Sequence, residues 1–238
     1  RLGDKTSLSL SGGALTSSGR YKFRYRRENA DGTTAYDTTA VRHNGDIWAV
    51  RLEGNLYGAL RQGVWNLKAY TYNSRRGIPG AIVNNVWRRG ERQADHNTFV
   101  QGMVQRSIGR WFSTKLLAKY AYYNTRYINN DTTQMHVDNT FRQQELYVSA
   151  NVVELLPQWS LSASYDFRWN KLCADLPRFA YPHRFSNSFA VATALDLGRF
   201  KAQASVMGFA AKDHTRTLNS TDAITTFSPA VFIGWQPL

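Results

Sequence analysis

WSLSASYDFRW, residues Trp159 to Trp169, alternates without a break. Successive side chains of an extended strand point to opposite faces. Trp159, Leu161, Ala163, Tyr165, Phe167 and Trp169 therefore share one face, and Ser160, Ser162, Ser164, Asp166 and Arg168 the other. At about 3.3 Å per residue and a tilt of about 45°, the two tryptophans stand roughly 24 Å apart along the axis that the strand crosses. That is about the height of the apolar band on a transmembrane β-barrel, whose two rims carry aromatic girdles. One half-buried strand of a soluble sandwich would read the same way, so the other strands must decide.

The totals leave both options open. A chain of 238 residues is long enough for one large all-β domain or two ordinary ones. A mean hydropathy of −0.47 and the lack of any apolar run near 18 residues exclude a membrane-spanning helix. They do not exclude a membrane barrel, whose alternation averages toward polar. Thirteen Tyr, twelve Phe and seven Trp suit strands better than helices. The single Cys173 forbids an intrachain disulfide and a zinc ribbon. A net charge of +13 points to nucleic acid or an anionic surface as partner. The chain starts at Arg1 without a secretion signal, as a mature product or an internal piece would.

Along the chain the alternation recurs. Leu8 and Leu10 share a face before SGGALTSS, which reads as a turn. Tyr21, Phe23 and Tyr25 then oppose Lys22, Arg24 and Arg26, followed by a polar loop over Asn29–Asn44. Trp48, Val50, Leu52 and Leu56 oppose Arg51, Glu53 and Asn55. A tight Gly58–Gly63 connection leads to Trp65, Leu67 and Ala69 opposite Asn66, Lys68 and Tyr70. The loop Asn73–Asn97 is the longest. In Thr98–Arg106, Val100 and Val104 compete with Phe99 and Met103 for the apolar face, and the facing stays open. Phe112, Leu116, Ala118, Tyr120 and Tyr122 oppose Lys115 and Lys119, and a polar loop spans Tyr127–Thr140. Leu146, Val148, Ala150 and Val152 lead through Pro157 into the opening strand. Two strands then flank a tight Gly198–Arg199 turn, with Lys201 on the polar side, and FSPAVFIGWQPL ends the chain.

This predicts an all-β, antiparallel portion of a transmembrane barrel: about eleven strands of roughly 9 to 11 residues, with short periplasmic turns alternating with long extracellular loops. The apolar face carries a membrane girdle of Trp48, Trp65, Trp159, Trp169 and Trp235. The other face carries Arg24, Arg51, Glu53, Lys68, Lys115, Lys119, Asp166, Arg168 and Lys201, which fit a water-filled or plugged lumen. Asp166 and Glu145 are candidates for ion pairs with lumen cations.

Three segments resemble TonB-dependent outer-membrane receptors of the cobalamin and siderophore type. NSRRGIPGAIVNN (Asn73–Asn85) is similar to a loop of that family containing Glu-Arg-Gly-x-Pro-Gly, with Arg75 here in place of the acidic residue. RQQELYVSAN (Arg142–Asn151) and FSPAVFIGWQPL (Phe227–Leu238) resemble its barrel strands. The resemblance implies a barrel of about 22 strands around a plug. Residues 1–238 would then form one partial barrel domain, lacking the plug and the remaining strands. It also implies location in the bacterial outer membrane and indirect action by TonB. The function expected is active uptake of a bulky, scarce nutrient such as a corrinoid or siderophore.

In RRGIPG, Gly77, Pro79 and Gly80 shape the loop by their backbone preferences. Arg76, Trp87, Arg88, Arg89 and Arg92 are candidates to bind an anionic or aromatic ligand at the mouth, against the competing and favoured reading that such a charge run binds lipopolysaccharide phosphates or simply solvates the loop. His43, His96, His136, His183 and His214 lie in or beside the loops without ligand spacing, so no metal or other cofactor is expected. No catalytic constellation stands out, so the chain is not read as an enzyme. Expected partners are outer-membrane lipid and lipopolysaccharide, the plug and missing strands, TonB and a small-molecule nutrient. Nucleic acid is not among them. The alternatives are a passive porin, a plugged adhesion barrel, or a soluble basic β-domain that binds single-stranded nucleic acid by stacking and phosphate attraction.

Overall fold

The computed structural model describes residues 5–80, 90–130, 136–216 and 222–236. They form twelve strands and no helix: β1 (Thr6–Ser17), β2 (Lys22–Glu28), β3 (Thr34–Val41), β4 (Ile47–Leu60), β5 (Gly63–Gly77), β6 (Glu91–Ile108), β7 (Phe112–Asn129), β8 (Val137–Leu155), β9 (Trp159–Ala174), β10 (His183–Asp196), β11 (Phe200–His214) and β12 (Ile224–Trp235). Ten of them build one antiparallel meander in the order β1-β4-β5-β6-β7-β8-β9-β10-β11-β12, which is not closed. β2 and β3 form a separate hairpin.

Alternation of turns and loops holds throughout the meander. Connections 61–62, 109–111, 156–158 and 197–199 lie at one end, and 18–46, 78–90, 130–136, 175–182 and 215–223 at the other. Several details differ from the sequence reading, which expected about eleven strands. β1 runs through SGGALTSS, because an edge strand paired on one side with β4 tolerates its small residues. The Tyr21–Arg26 alternation is not a wall strand but half of the hairpin inside connection 18–46, so Arg24 is not part of the ten-stranded sheet. Thr34–Val41, read as loop, is its other half. Strands are also longer than 9 to 11 residues: β8 has 19, so at a tilt of about 45° its ends project past a ~25 Å apolar band.

Which way the sheet curves follows from burial. Apart from glycines, the buried strand positions are Ala49, Asn55, Ser74, Ala121, Asn129, Ser149, Ala174 and Ala211. The pairing register puts all of them on the polar face. Side chains converge on a concave surface and splay on a convex one, so the sheet wraps around its polar face. The apolar face is the exposed one: Leu52 is 56% exposed, Leu116 57% and Val148 37%. Among the described residues no large side chain is fully buried. A soluble sandwich hides its apolar face in a core about 10 Å thick; here no described element packs over that face.

Four of the outward tryptophans keep a common spacing. Trp65 lies opposite Gly58, ten positions along β4 from Trp48, the same separation as Trp159 to Trp169 in β9. The Trp65 indole occupies the space where a Gly58 side chain would stand, so the aromatic covers backbone that glycine leaves bare.

Candidate functional site

Two regions of the wall concentrate polar chemistry: the middle of its concave face and its long-loop end. On the concave face the register brings Arg51, Glu53, Lys68, Lys115, Lys119, Asp166, Arg168 and Lys201 to one side of the sheet. Lys68 pairs with Glu53 at 3.0 Å, and the Asn55 amide donates to the same carboxylate at 2.8 Å. Lys119 pairs with Glu145 at 3.1 Å and donates to the Tyr123 hydroxyl at 3.3 Å. Between the two lysines sits Phe99, 5.9 Å from Lys68 Nζ and 5.3 Å from Lys119 Nζ to the ring centroid, and stacked on Tyr70 at 5.1 Å. The Tyr147 hydroxyl donates to Asp166 at 2.7 Å, and the Arg168 guanidinium lies 5.3 Å over the Tyr147 ring. Lys201 pairs with Asp196 at the turn end.

Sequence reasoning missed Phe99 because it left the β6 face open. The register settles it: Val100 and Val104 are exposed on the apolar face, while Phe99 opposes Tyr70. Tyr70 opposite Phe99 was the available signal, since Tyr70 already stood on the polar side of β5.

At the loop end, RRGIPG is held from connection 18–46. Asn44 Nδ2 donates to the Ile78 carbonyl at 3.0 Å and the Glu91 carbonyl at 2.7 Å. Arg42, only 5% exposed, donates from Nη2 to the carbonyls of Pro79 and Gly80. Gly77 donates its N–H to the Asp46 carbonyl at 2.8 Å, and a Cβ at Gly77 would collide with Asn44. Gly80 adopts φ +62, a left-handed conformation that glycine tolerates at little cost.

Two candidate ligand arginines have carboxylates beside them. Arg92 makes a bidentate pair with Asp46 at 3.1 and 2.6 Å. Hydrogen bonding and attraction from Arg92 hold the Asp46 carboxyl below its usual range. Arg76 stands on the concave face, 3.9 Å from Asp95. Asp95 also accepts from Ser74 at 3.3 Å and Thr125 at 2.8 Å. Trp87, Arg88 and Arg89 lie outside the described residues. Arg24 pairs with Asp37 across the hairpin at 2.7 and 2.5 Å, which lowers the Asp37 carboxyl likewise. Among the described residues no three His, Cys, Asp or Glu side chains gather as a metal site would require.

Fixed charges, with aromatic rings between cations, thus line the concave face of the sheet, and its other face is apolar. Solved structures show the same wall. The ferric preacinetobactin receptor BauA from Acinetobacter baumannii matches with a TM-score of 0.61 at 10% identity, over 96% of this chain and 44% of that one. The siderophore receptor PiuA from the same organism matches with a TM-score of 0.52 at 9% identity, over 97% of this chain and 46% of that one. The likeness is one of fold: the open antiparallel sheet follows part of the barrel of these two receptors. No family model matches the chain, and neither does any curated protein sequence. The chain spans less than half the length of each of these two receptors. On this sheet the Lys68–Phe99–Lys119 cluster lies on the concave face, and the tryptophans lie on the opposite one.

Proposed function

We propose that this chain is part of the barrel of a TonB-dependent outer-membrane receptor that takes up a bulky chelate of the ferric-siderophore class. The observation that carries the reading is the inside-out sheet, apolar outside and ion-paired inside, which shares its fold with two siderophore receptors over nearly its whole length. An exposed apolar face on this scale has a physical use only against lipid or a large partner. The charged concave wall would seat a plug, whose backbone and polar groups need partners wherever water is excluded. Arg76, with Trp87, Arg88 and Arg89 of connection 78–90, would meet an anionic chelate at the mouth. Motion of the plug under TonB would then admit the chelate.

Uptake of radiolabelled ferric chelates by iron-starved cells tests this. Accumulation should vanish when the full-length gene is deleted and also when TonB is absent. Uptake that persists without TonB, or free permeability to small sugars, would replace the receptor with a passive pore.

A further inference from the structure

Between the Lys68–Phe99–Lys119 cluster and the long loops, the concave face changes chemistry. The register orders this part of it in rows. Tyr70, Phe99, Ala121, Glu145 and Asn170 lie abreast across β5–β9. The next row toward the long loops on the same face is Tyr72, Asn97, Tyr123 and Gln143, ending on Leu172, and it holds no charged side chain. Beyond it come Ser74, Asp95 and Thr125, and then Arg76, Gln93, Tyr127 and Asn139.

The charges that border the uncharged row are already matched. Glu145 is held by Lys119 at 3.1 Å, and Asp95 lies 3.9 Å from Arg76 while accepting from Thr125 at 2.8 Å and Gln93 at 2.9 Å. The polar groups of the row itself are not. Among the described residues the Asn97 and Gln143 amides and the Tyr72 hydroxyl have no hydrogen-bond partner. The Tyr123 hydroxyl accepts from Lys119 Nζ at 3.3 Å, which leaves its own hydrogen to donate. All four side chains are half-buried. A half-buried amide without a protein partner is left to water or to a ligand that supplies both a donor and an acceptor.

Neighbouring strands stand about 4.8 Å apart, so the row from Tyr72 to Gln143 spans roughly 14 Å, the reach of a short oligosaccharide rather than of a single sugar. An amide offers an acceptor and donors in one plane, which adjacent hydroxyls of a sugar ring satisfy together. A tyrosine covers the C–H face of such a ring while its own hydroxyl bonds at the edge. Tyrosine and amide alternate along the row, so the two kinds of contact repeat from strand to strand. A site for an anion would place an unmatched cation in the row, and there is none. We infer that Tyr72, Asn97, Tyr123 and Gln143 form a neutral binding row for a hydroxyl-rich ligand surface of the oligosaccharide class. The sugar is either a free glycan or a glycosyl group carried by the chelate proposed above, and the chemistry that recognises it is the same. The inference rests on the reading of the concave face as a lumen open at its long-loop end, but not on iron as cargo or on TonB.

The test uses the full-length protein in a sugar-free polyoxyethylene detergent, with folding of every variant verified by heat-dependent gel mobility. Neutral gluco-, xylo-, manno- and chito-oligosaccharides are titrated calorimetrically, beside a glycosylated ferric catecholate, its sugar-free parent and a neutral peptide of similar length. Wild type should bind an oligosaccharide of this set, or the glycosylated chelate in preference to its parent, with an affinity that does not fall as salt rises. N97A/Q143A should weaken that binding about tenfold or more, and Tyr72→Ala should weaken it more than Tyr72→Phe. Q144A, the next position of β8 and on the opposite face, should leave it unchanged. Binding of free glycans assigns the row to them, and binding of the glycosylated chelate alone assigns it to the sugar of the cargo. No preference for any sugar-bearing probe, an equal loss in Q144A, or peptide binding with the same dependence on Asn97 and Gln143 would each overturn the row. Sugar binding in a protein whose gene proves dispensable for ferric-chelate uptake would remove the iron reading and leave the row standing.

Discussion

Lys119 Nζ lies 3.1 Å from Glu145 Oε1, although the residue directly opposite Lys119 in the register is Tyr147. The pair is therefore diagonal between β7 and β8, and the ammonium is at the same time over Phe99. Both side chains are mostly covered, at 23% and 18% exposure. Glu145→Gln would leave the Lys119 charge poorly compensated, at a cost of about 1–3 kcal/mol. Replacing both residues with apolar ones of similar size should cost less than the single change. Urea unfolding of the full-length protein in detergent, followed by tryptophan fluorescence, reads both.

Facing can be tested one residue apart. Ala163 is outward on β9 between Val152 and Val191, and Ser164 is inward between Asn151 and Ala190. Ala163→Arg should cost about 2–4 kcal/mol, as arginine does near a bilayer midplane. Ser164→Arg should fall within about 0.5 kcal/mol, the usual range of a change at a polar surface. Folding titrations into lipid vesicles compare the two, and a soluble sheet would show no such asymmetry.

Loop support depends on Gly77 and Arg42. Gly77→Ala forces the strand end away from Asn44, and Arg42→Ala releases the Pro79 and Gly80 carbonyls. Each change should raise the rate of protease nicking within connection 78–90 several-fold. Unfolding of the ten-stranded sheet should change little, because Gly77 occupies only the last rung of β5, opposite Arg92, and Arg42 lies outside the ladder.

Acid should loosen the same region. Asp46 and Asp37 have carboxyls depressed by Arg92 and Arg24. A depressed carboxyl contributes stability that is complete above its unfolded value, about 3.9, and is lost as pH falls through the lower folded value. The protection of the 18–46 amides, taken relative to the intrinsic exchange rate at each pH, should therefore be constant from neutrality down to about pH 5 and fall below about pH 4. High salt should weaken the Asp37 pair more than the turn-end backbone bonds, since that pair is exposed.

Much of this wall was legible because alternation with aromatic rims has a period that few other sequences keep. Trp159–Trp169 is read correctly at every position. Four places were not legible, each for a physical reason. Tyr21–Arg26 has the same aromatic and cationic alternation as a wall strand, and only its partner, Thr34–Val41, distinguishes it. Asn73–Gly77 and Glu91–Asn97 looked like loop because strands that rise above the apolar band become polar on both faces. β6 was ambiguous because Phe99 is inward, where a ring covered by two lysines replaces the small polar residue that the pattern expects. Arg42 and Asn44 carried no signal, since a side chain that caps backbone carbonyls of a distant loop leaves no periodic trace.

The central claim is that the apolar face of this sheet meets lipid. Single cysteines placed at 161, 163, 165 and 167, and at 160, 162, 164 and 166, in full-length protein with Cys173→Ser, carry an environment-sensitive probe in reconstituted membranes. The first set should be quenched by a lipid-borne quencher and protected from an aqueous one. The second set should be insensitive to the lipid-borne quencher. Equal quenching of the two sets, or protection of the first set from both quenchers in a packed protein core, would contradict the account.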